Sequence, residues 1–448
     1  MLQAVADILR NHGVEGWLVG GSVRDRELGR RSPDVDVVVA GDAAAVAEAL
    51  ATALKAPWFA LSERHLTYRV IGRGGHADVA AARGGDILQD LAERDFTVNA
   101  MALPIRPVPA GAGRTEAEPV DRDALIDPFD GLTHLRERRL AAVSHRIFAD
   151  DPLRLMRAAR FCHVLGFELY GGLEDSIRSQ APELARTAGE RIAAEMVLTL
   201  AEGRSAEAAR LWHDLGLLEV VLPEVCDRSG LAAVLATLER LDDLLARLMV
   251  WFPATADVLD ERLRRPVDGA VERPVAMRMA GLTHRLESDL AEAVARRLKL
   301  SGDMISLLRT VSGCVGEGGE NDRLGFEGDF MAPSEARRLD RAEVLFLWGA
   351  APFEPEVVLL AAAAGIGSVL PSTAGRMMAL WAERSLRGVP RPPVDGDLLM
   401  RELGVKSGPL LGKALREVRL VWEMRETTTI SGLLDVARGV VRQDRRTR

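Results

Sequence analysis

Two short motifs near the start of the chain carry residue types that could bind a nucleotide and a metal ion. The first is a glycine turn, Gly20 and Gly21, followed by Arg24; the second is the pair Asp34 and Asp36. Backbone N–H groups at a helix start can hold phosphate oxygens, and an arginine adds a charge-assisted hydrogen bond. Two carboxylates can share Mg²⁺. Their spacing predicts transfer of a nucleotide to a polynucleotide end.

The elements that must position these residues are strands, a turn and a helix. The residues before the glycine turn predict a buried strand, and those after it predict a short helix with Ser22 as N-cap. Alternation in a second, valine-rich strand points Asp34 and Asp36 to one face. A later strand brings Asp78, a possible third carboxylate. In a two-metal scheme one ion activates the attacking 3′-hydroxyl and the other steadies the leaving pyrophosphate.

Five motifs in this chain resemble, in order, those of the class II tRNA nucleotidyltransferases, which are the bacterial CCA-adding enzymes, and of the related bacterial poly(A) polymerases. They cover about the first 200 residues, and a weaker resemblance covers residues 395–400 and 406–412 near the C-terminus. The five motifs are residues 20–25 with 34–36, 93–100, 127–131, 150–157 and 190–195.

The resemblance implies a fold and a set of site residues. The fold is α+β: a polymerase-β-like nucleotidyltransferase head with a mixed sheet, followed by an all-α neck, body and tail. The site is divided between metal ligands and nucleotide contacts. These are Asp34 and Asp36 for Mg²⁺, Gly20, Gly21 and Arg24 for the triphosphate, and Arg94 and Asp95 for the ribose and phosphates.

Asp151 and Arg154 have the chemistry to read a base without a template. Cytosine and adenine each present an amino donor beside a ring-nitrogen acceptor, whereas uracil and guanine present the reverse order. A carboxylate and a guanidinium would therefore accept C and A, because buried unpaired polar groups disfavour the others. Arg157 and Arg160 follow Arg154 at steps of three on one helix side. A solvated basic face is the commoner fate of such a run, but its place after the carboxylate strands favours contacts with nucleotide and tRNA phosphates.

Three departures from the family pattern bear on the product. Glu93 stands where the second motif usually has arginine, and Asp150 replaces a frequent glutamate. Residues 80–91 are a short segment where many CCA-adding members carry a longer loop, and its absence is associated with relatives that add only the two cytidines. Complete CCA addition from CTP and ATP ranks first and CC-only or A-only addition second.

Two further functions rank below these. A poly(A) polymerase would more often bring a strongly basic C-terminal extension, and residues 442–448 are a meagre one. A catalytically silent tRNA-binding protein would be expected to lack one of Asp34, Asp36 and Asp78. A metal phosphohydrolase at His213 and Asp214 is disfavoured, because the only later histidine is His284.

The length of 448 residues exceeds one ordinary domain. We expect a catalytic head at residues 1–138, a neck with the base-reading motif at 139–205, a body at 206–310 and a tail at 311–448. Residues 110–113 read as a loop insertion and 316–328 as a connector. By resemblance, the helical part would grip the acceptor stem and T-arm of tRNA by shape and phosphates.

Composition narrows the surroundings and partners. A net charge of −8 argues against a chain that coats nucleic acid indiscriminately, while arginines between residues 136 and 160 supply a local basic patch. Aromatic residues make up 4%, so we expect no stacking platform for single strands. Three widely spaced cysteines and no apparent signal peptide favour the cytoplasm. The longest uncharged apolar run, residues 357–370, is too short to span a bilayer and predicts a buried helix.

Overall fold

The computed structural model of the chain contains a mixed six-stranded sheet that carries the glycine turn and the carboxylates. Its spatial order is β3-β4-β5-β2-β1-β6; β2 and β5 are parallel, and every other neighbouring pair is antiparallel. Strand β2 therefore lies near the middle, with β1 on one side and β5 on the other. The strands are β1 (Gly16–Val19), β2 (Val35–Val39), β3 (Trp58–Ser62), β4 (Thr67–Gly72), β5 (Gly75–Ala81) and β6 (Ala102–Pro104).

The structure describes most of the chain and divides it into two compact units. The first unit comprises residues 1–187 and 214–220, and the second comprises 188–213 and 221–448. The predicted four-part division stays a prediction. The expected loop at 110–113 and connector at 316–328 lie outside the described residues. Described are residues 1–30, 33–63, 66–106, 119–226, 228–315, 339–365, 371–388 and 391–447.

The valine-rich strand β2 is buried on both faces beyond its second residue. Val37 and Val39 are 1% and 0% exposed, and Val38 packs in a cluster with Val19 and Leu91. Asp36 thus stands at the point where the covered part of the strand ends. Because the valines lock the strand in register, the carboxylate has little freedom to move along the sheet.

The helices of the first unit surround the sheet. Helix α2 begins directly at Gly21, with Gly20 as N-cap, so the prediction that Ser22 caps this helix is wrong. The physical reason is that the Ser22 hydroxyl bonds to strand β2 instead. The helices are α1 (Leu2–His12), α2 (Gly21–Glu27), α3 (Ala43–Leu54), α4 (Ile87–Ala92), α5 (Gly131–Arg136), α6 (Ile147–Asp150), α7 (Leu153–Leu165) and α8 (Leu173–Gln180).

A two-stranded parallel sheet interrupts the predicted all-helical region after residue 138. Strand β7 (Arg139–Leu140) pairs with β8 (Glu168–Leu169) on either side of α7. From residue 189 the described residues contain no strand, which confirms a mixed-sheet head followed by a mostly helical remainder. The helices are α9 (Gly189–Leu200), α10 (Ser205–Asp214), α11 (Leu218–Val221), α12 (Arg228–Ala246), α13 (Leu248–Trp251), α14 (Ala256–Arg264), α15 (Arg273–Thr283), α16 (Ser288–Arg297), α17 (Gly302–Val315), α18 (Arg341–Ala350), α19 (Glu354–Ala364), α20 (Pro371–Arg387), α21 (Gly396–Leu403), α22 (Pro409–Glu423) and α23 (Ile430–Thr447).

Helix α19 contains the described part of the long apolar run, and its side chains from Val357 to Ala361 are buried in the second unit. Within the described ranges, no single helix has the length and apolar composition needed to cross a membrane. Helices α18 and α19 meet that test only as a pair, and the chain bends by 117° between them.

His284 is a buried titratable group that makes the stability of the second unit depend on pH. It is 2% exposed, and one ring nitrogen, Nδ1, lies 2.7 Å from the Gly281 carbonyl oxygen. Burial lowers the pKa of His284 to about 4, although the hydrogen bond to Gly281 opposes the shift. The folded protein therefore holds this imidazole neutral over a range in which the unfolded chain would protonate it.

We predict that the second unit loses stability as pH falls from about 6.5 to about 4. Above pH 6.5 the neutral His284 makes its full contribution to the free energy of unfolding. At pH 4 up to roughly 3 kcal/mol of that free energy is lost. His284→Gln keeps the hydrogen-bonding shape without the titration, so its thermal unfolding midpoint should fall less steeply over the same range. Equal slopes for the two proteins, followed by circular dichroism, would contradict the assignment.

Candidate active site

The two predicted metal ligands meet the sheet where β1 turns into α2. Asp34 precedes β2 directly, and Asp36 is the register partner of Asp78 on β5. The backbone N–H of Asp36 donates to the Ser22 hydroxyl oxygen at 2.8 Å, and that hydroxyl donates to Asp36 Oδ2 at 3.3 Å. Ser22 therefore fixes the carboxylate from the neighbouring helix.

The electrostatics around Asp36 fit a divalent cation. Burial, and then the neighbouring Asp78 carboxylate, raise the pKa of Asp36, while Arg94 and the Ser22 hydroxyl oppose that shift. Two adjacent carboxylates in a partly desolvated position repel each other, and a bound cation relieves that repulsion. Their oxygen donors are those that Mg²⁺ prefers.

Asp78 and His76, both on β5, are hydrogen-bonded to other side chains beside these predicted ligands. Both Asp78 oxygens accept from Arg69, through Nε and Nη2 at 2.7 Å each. His76 Nδ1 lies 2.8 Å from Asp34 Oδ1, and the His76 backbone N–H donates to the same oxygen at 3.0 Å. Asp78 is thus compensated by an arginine, and a role as third metal ligand stays a prediction. In the described part of the chain, no group of three or more His, Cys, Asp or Glu is arranged to hold a metal.

Only glycine fits the first position of the turn. Gly20 has φ +63° and ψ −131°, and a Cβ there would lie 2.7 Å from Arg94 Nη1. A Cβ on Gly21 would lie 3.5 Å from Arg24 Nη2 and 3.6 Å from Asp36 Oδ2. Gly20 therefore allows the Arg94 guanidinium to approach the backbone closely, whereas a side chain at Gly21 would make ordinary contacts with Arg24 and Asp36.

Asn99 connects the arginines around this turn. Its side-chain oxygen accepts from Arg24 Nη1 at 2.8 Å, and its amide nitrogen donates to Asp95 Oδ1 at 3.1 Å. Its backbone carbonyl accepts from Arg94 Nη1 at 3.3 Å. Arg24 also bonds Asp25, with Nε at 2.8 Å from Oδ1. The Asn99 side chain therefore bonds two of the predicted nucleotide-binding residues, Arg24 and Asp95, and its backbone bonds a third, Arg94.

Asp95 extends the network to helix α7. Its Oδ2 accepts from Arg157 Nε at 2.8 Å, and the carboxylate also accepts from the Phe96 backbone N–H at 2.8 Å. Burial acts to raise the pKa of Asp95, but Arg157, Asn99 and the Phe96 N–H outweigh it, so the pKa lies below its usual range. Asp95 is therefore charged, and in this structure it positions Arg157.

An aromatic ring organises the arginines of α7. The guanidinium carbons of Arg160, Arg24 and Arg157 lie 4.3, 5.2 and 5.4 Å from the centre of the Phe161 ring. Phe161 is itself packed edge-on against Phe96, with ring centres 5.7 Å apart. Such cation–π contacts hold like charges close together at a modest gain per pair. The arrangement prepares a cationic surface for a polyanion.

The predicted base-reading pair stands at the start of α7. Asp151 Oδ1 accepts from the Leu153 N–H at 3.2 Å, and the N-cap of α7 is Pro152. Arg154 Nη2 donates to the backbone carbonyl of Glu93 at 2.9 Å. Because this contact uses the main chain, the replacement of arginine by Glu93 leaves it intact. The nucleotide roles of Asp151 and Arg154 stay predictions.

The third motif, residues 127–131, packs against the segment that carries Asn99. The two Asp127 oxygens accept from the backbone N–H groups of Gly131 and Leu132, at 2.7 and 2.8 Å, which stabilises the start of α5. A Cβ on Gly131 would lie 2.3 Å from the Thr97 carbonyl oxygen, so only glycine allows α5 to pack there. This packing fixes the short turn that carries Asn99.

Comparisons with known proteins find similar sequences and structures. The family model described as "Poly A polymerase head domain" matches residues 16–141, and that described as "Probable RNA and SrmB- binding site of polymerase A" matches 166–228. The CC-adding tRNA nucleotidyltransferase of Geobacter sulfurreducens is 29% identical over 430 residues, which cover 95% of this chain and 92% of that protein. By these matches the chain is similar to the class II tRNA nucleotidyltransferases over both regions.

Two further similarities agree with the family. The CC-adding tRNA nucleotidyltransferase of Synechocystis is 36% identical over 203 residues, which are 45% of this chain and 45% of that protein. The solved Thermotoga maritima CCA-adding enzyme in complex with tRNA has a TM-score of 0.62 and 21% identity. That alignment covers 98% of this chain and 94% of the solved one, and it establishes the similarity of the fold.

The second unit of this nucleotidyltransferase contains a cavity of about 610 Å³ that holds none of the predicted site residues. Its arginines are engaged with buried carboxylates, Arg262 with Glu356 and Arg419 with Glu423. His213 and Asp214 end helix α10, and no metal cluster forms there among the described residues. The cavity is therefore lined by ion pairs of the helical unit.

The nucleotidyltransferase site also contains functional residues that were not predicted from the sequence. They are the residues that hold predicted ones in place: Ser22, Arg69, Asn99 and Phe161. For Arg69 a signal existed, since counting outward from the turn between β4 and β5 pairs it with Asp78. The others depend on contacts between distant segments.

We predict that Gly20→Ala raises the KM for CTP of the nucleotidyltransferase because the new methyl group displaces the Arg94 guanidinium. Gly29→Ala is the matched control: Gly29 also has a positive φ, +70°, but no atom of the described residues lies within 4 Å of the place that its new methyl group would take. The Gly29 change adds backbone strain of about 1–2 kcal/mol, and the Gly20 change adds more, because its ψ of −131° lies outside the left-handed helical region. Only the Gly20 change displaces a side chain of the site. Steady-state kinetics and thermal unfolding separate the two effects, and equal KM values for both variants would refute the prediction.

Proposed function

We propose that this enzyme builds the 3′-CCA end of tRNA by transferring CMP and AMP from CTP and ATP without a nucleic-acid template. The observation that carries the proposal is the Asn99 network. It connects Arg24, which follows the glycine turn, through Asn99 and Asp95 to Arg157 on α7. This connection supports a site in which phosphate-binding arginines lie beside Asp36. The family relationship supports tRNA as the RNA partner.

In the proposed mechanism the protein positions two reactants. Asp34 and Asp36 would hold Mg²⁺, and the ion would supply Lewis-acid stabilisation of the attacking and leaving oxygens. The N-terminus of α2 and the guanidinium groups of Arg24 and Arg94 bind the triphosphate. Because these groups are already hydrogen-bonded to one another, they need little reorganisation when the nucleotide enters.

Base choice in this proposal belongs to Asp151 and Arg154. The carboxylate accepts from the exocyclic amino group of cytosine or adenine, and the guanidinium donates to the adjacent ring nitrogen. The contact between Arg154 and the Glu93 carbonyl supports this role, because it ties the guanidinium to the segment that carries Arg94. The groups that recognise the base edge would then lie next to the groups that bind the phosphates of the same nucleotide.

Addition of only the two cytidines is the second candidate, and a specific observation favours it. The connection from β5 to α4 contains only residues 82–86, and a 3₁₀ turn at Arg83–Gly85 closes it. Arg83 Nη1 donates to the Glu93 carbonyl at 3.2 Å, which fastens the connection to the second motif. Two of the similar proteins described above are CC-adding enzymes.

The proposed location of the enzyme is the cytoplasm. All three cysteines are free thiols, which fits a reducing cytoplasm. A cytoplasmic location would also give the enzyme access to its proposed substrates, tRNA, CTP and ATP.

A primer-extension assay tests the proposal and separates its versions. Purified protein, Mg²⁺ and tRNA transcripts ending at the discriminator base, at C or at CC are incubated with CTP and ATP, singly and together. Extension of all three transcripts to CCA establishes the complete reaction, and a stop at CC establishes the second candidate. Long adenosine tails would indicate a poly(A) polymerase, and no extension would contradict the proposed function.

In this assay we expect Asp36→Asn to reduce nucleotide transfer by at least about 1000-fold, since a metal contributes several kcal/mol to transition-state stabilisation. Binding of tRNA should persist in a filter-binding measurement. Asp42→Asn is the matched control: Asp42 caps α3 in the same unit, and asparagine caps a helix equally well. Full activity of the Asp36 variant would rule out its role as a metal ligand.

Arg154→Ala should relax the choice of base. The ratio of kcat/KM for CTP over UTP is expected to fall about tenfold or more, because discrimination by a buried hydrogen bond contributes roughly 1–3 kcal/mol. Arg160→Ala, on the same helix, should weaken binding of every nucleotide and leave the ratio unchanged. An unaltered ratio in the Arg154 variant would refute base reading by this side chain.

A further inference from the structure

The face of the sheet that carries the carboxylates continues across three more strands. Asp36 is paired in register with Asp78, Asp78 with Arg69, and Arg69 with Phe59 on the edge strand β3. Register partners lie side by side, so all four side chains project from the same face. At about 4.8 Å per strand, Phe59 stands roughly 14 Å from Asp36.

Two apolar side chains are exposed on this face. Phe59 and Ile71 are each 46% exposed, and Ile71 is the register partner of His76, which contacts Asp34. Trp58 projects from the opposite face and packs on Tyr68, with ring centres 5.7 Å apart. Single exposed apolar residues are common. These two are informative because they flank Arg69 on the face that holds the carboxylates.

The geometry of the displacement reaction indicates that this surface faces the 3′ end of the RNA. In an in-line displacement the attacking oxygen and the leaving pyrophosphate stand on opposite sides of the phosphorus atom. In the proposed function the triphosphate binds at the glycine turn that follows β1, with Arg24 and Arg94, and β1 lies on the opposite side of β2 from β5. The leaving pyrophosphate would then lie on the β1 side of β2. The 3′-hydroxyl must then arrive from the other side, across β5, β4 and β3. This step rests on the proposed function.

We propose that Phe59 and Ile71 form a platform on which the unpaired 3′-terminal bases of the RNA substrate stack. The Phe59 ring supplies an aromatic face on which any base can stack, and the Ile71 side chain extends this apolar surface. Arg69 lies between them and places positive charge near the RNA backbone, with Nε and Nη2 held by Asp78. The low aromatic content led us to expect no such platform, but one ring suffices for one base.

The platform has a kinetic signature that differs from that of the nucleotide site. Phe59→Ala should raise the KM for tRNA ending at C by about tenfold, the scale of one lost base–aromatic stack, and leave the KM for CTP unchanged. Phe59→Trp keeps a stacking ring and should restore a near wild-type KM for tRNA. Trp58→Phe changes the same strand on the opposite face and should leave both KM values unaltered.

A binding measurement without turnover makes the test independent of catalysis. A tRNA transcript with 2-aminopurine at its 3′ end should lose fluorescence on binding the wild-type protein, because stacking quenches this base. Binding to the Phe59→Ala protein should leave the fluorescence higher. Unchanged quenching together with an unchanged KM for tRNA would overturn the platform.

Failure of the platform is distinguishable from failure of the proposed function. If the wild-type protein extends tRNA but the Phe59 variants behave like it, only the platform is wrong. If the wild-type protein extends no RNA in the primer-extension assay, the proposed function fails, and the platform fails with it. A circular dichroism melt of each variant confirms that the folded proteins are being compared.

Discussion

The active site depends on the buried amide of Asn99, because this side chain satisfies opposite charges at once. Its oxygen can only accept and its nitrogen can only donate, so it binds the cation Arg24 on one side and the anion Asp95 on the other. An aspartate there would repel Asp95, and an aliphatic residue would leave both partners without a hydrogen bond. Through these two partners the amide is connected to Arg157, which bonds Asp95, and to the Phe161 ring, on which Arg24 and Arg157 lie. Arg94 is held separately, by Asp90 and by the Asn99 backbone carbonyl.

The sheet shows which parts of the fold were accessible from local sequence. Strand β2 was predictable because alternation and valine content are local properties, and the Gly20 turn was predictable because glycine marks it. The order β3-β4-β5-β2-β1-β6 was not, since strand pairing depends on packing between segments far apart in the chain. The same limit applies to β7 and β8, whose two-residue strands are too short to carry a periodic signal.

The site shows a similar division between residue types and their partners. Carboxylates and arginines could be proposed from their chemistry and their resemblance to a family, and the structure brings them into one network. What sequence spacing could not supply was how strongly each group is already engaged. Asp78 is bonded to Arg69 and Asp95 to Arg157, so both carboxylates act on neighbouring charges as well as on any ligand. The role of Phe161 was not predictable, because an aromatic residue in a helix usually packs in the core and its contact with Arg24 depends on a distant segment.

The main-chain contact at Glu93 leaves a side chain beside the active site that the site does not need. The Glu93 side chain is 50% exposed, while its carbonyl holds Arg154. A cysteine introduced there could carry a fluorescent dye within reach of an incoming nucleotide. Burial raises the pKa of the Cys162 thiol to about 12 and that of Cys314 to about 11, so neither would compete strongly for a thiol reagent. The third thiol, the half-buried Cys226, would first be replaced by serine. The position thus offers an optical reporter of nucleotide entry that alters no contact of the Asn99 network.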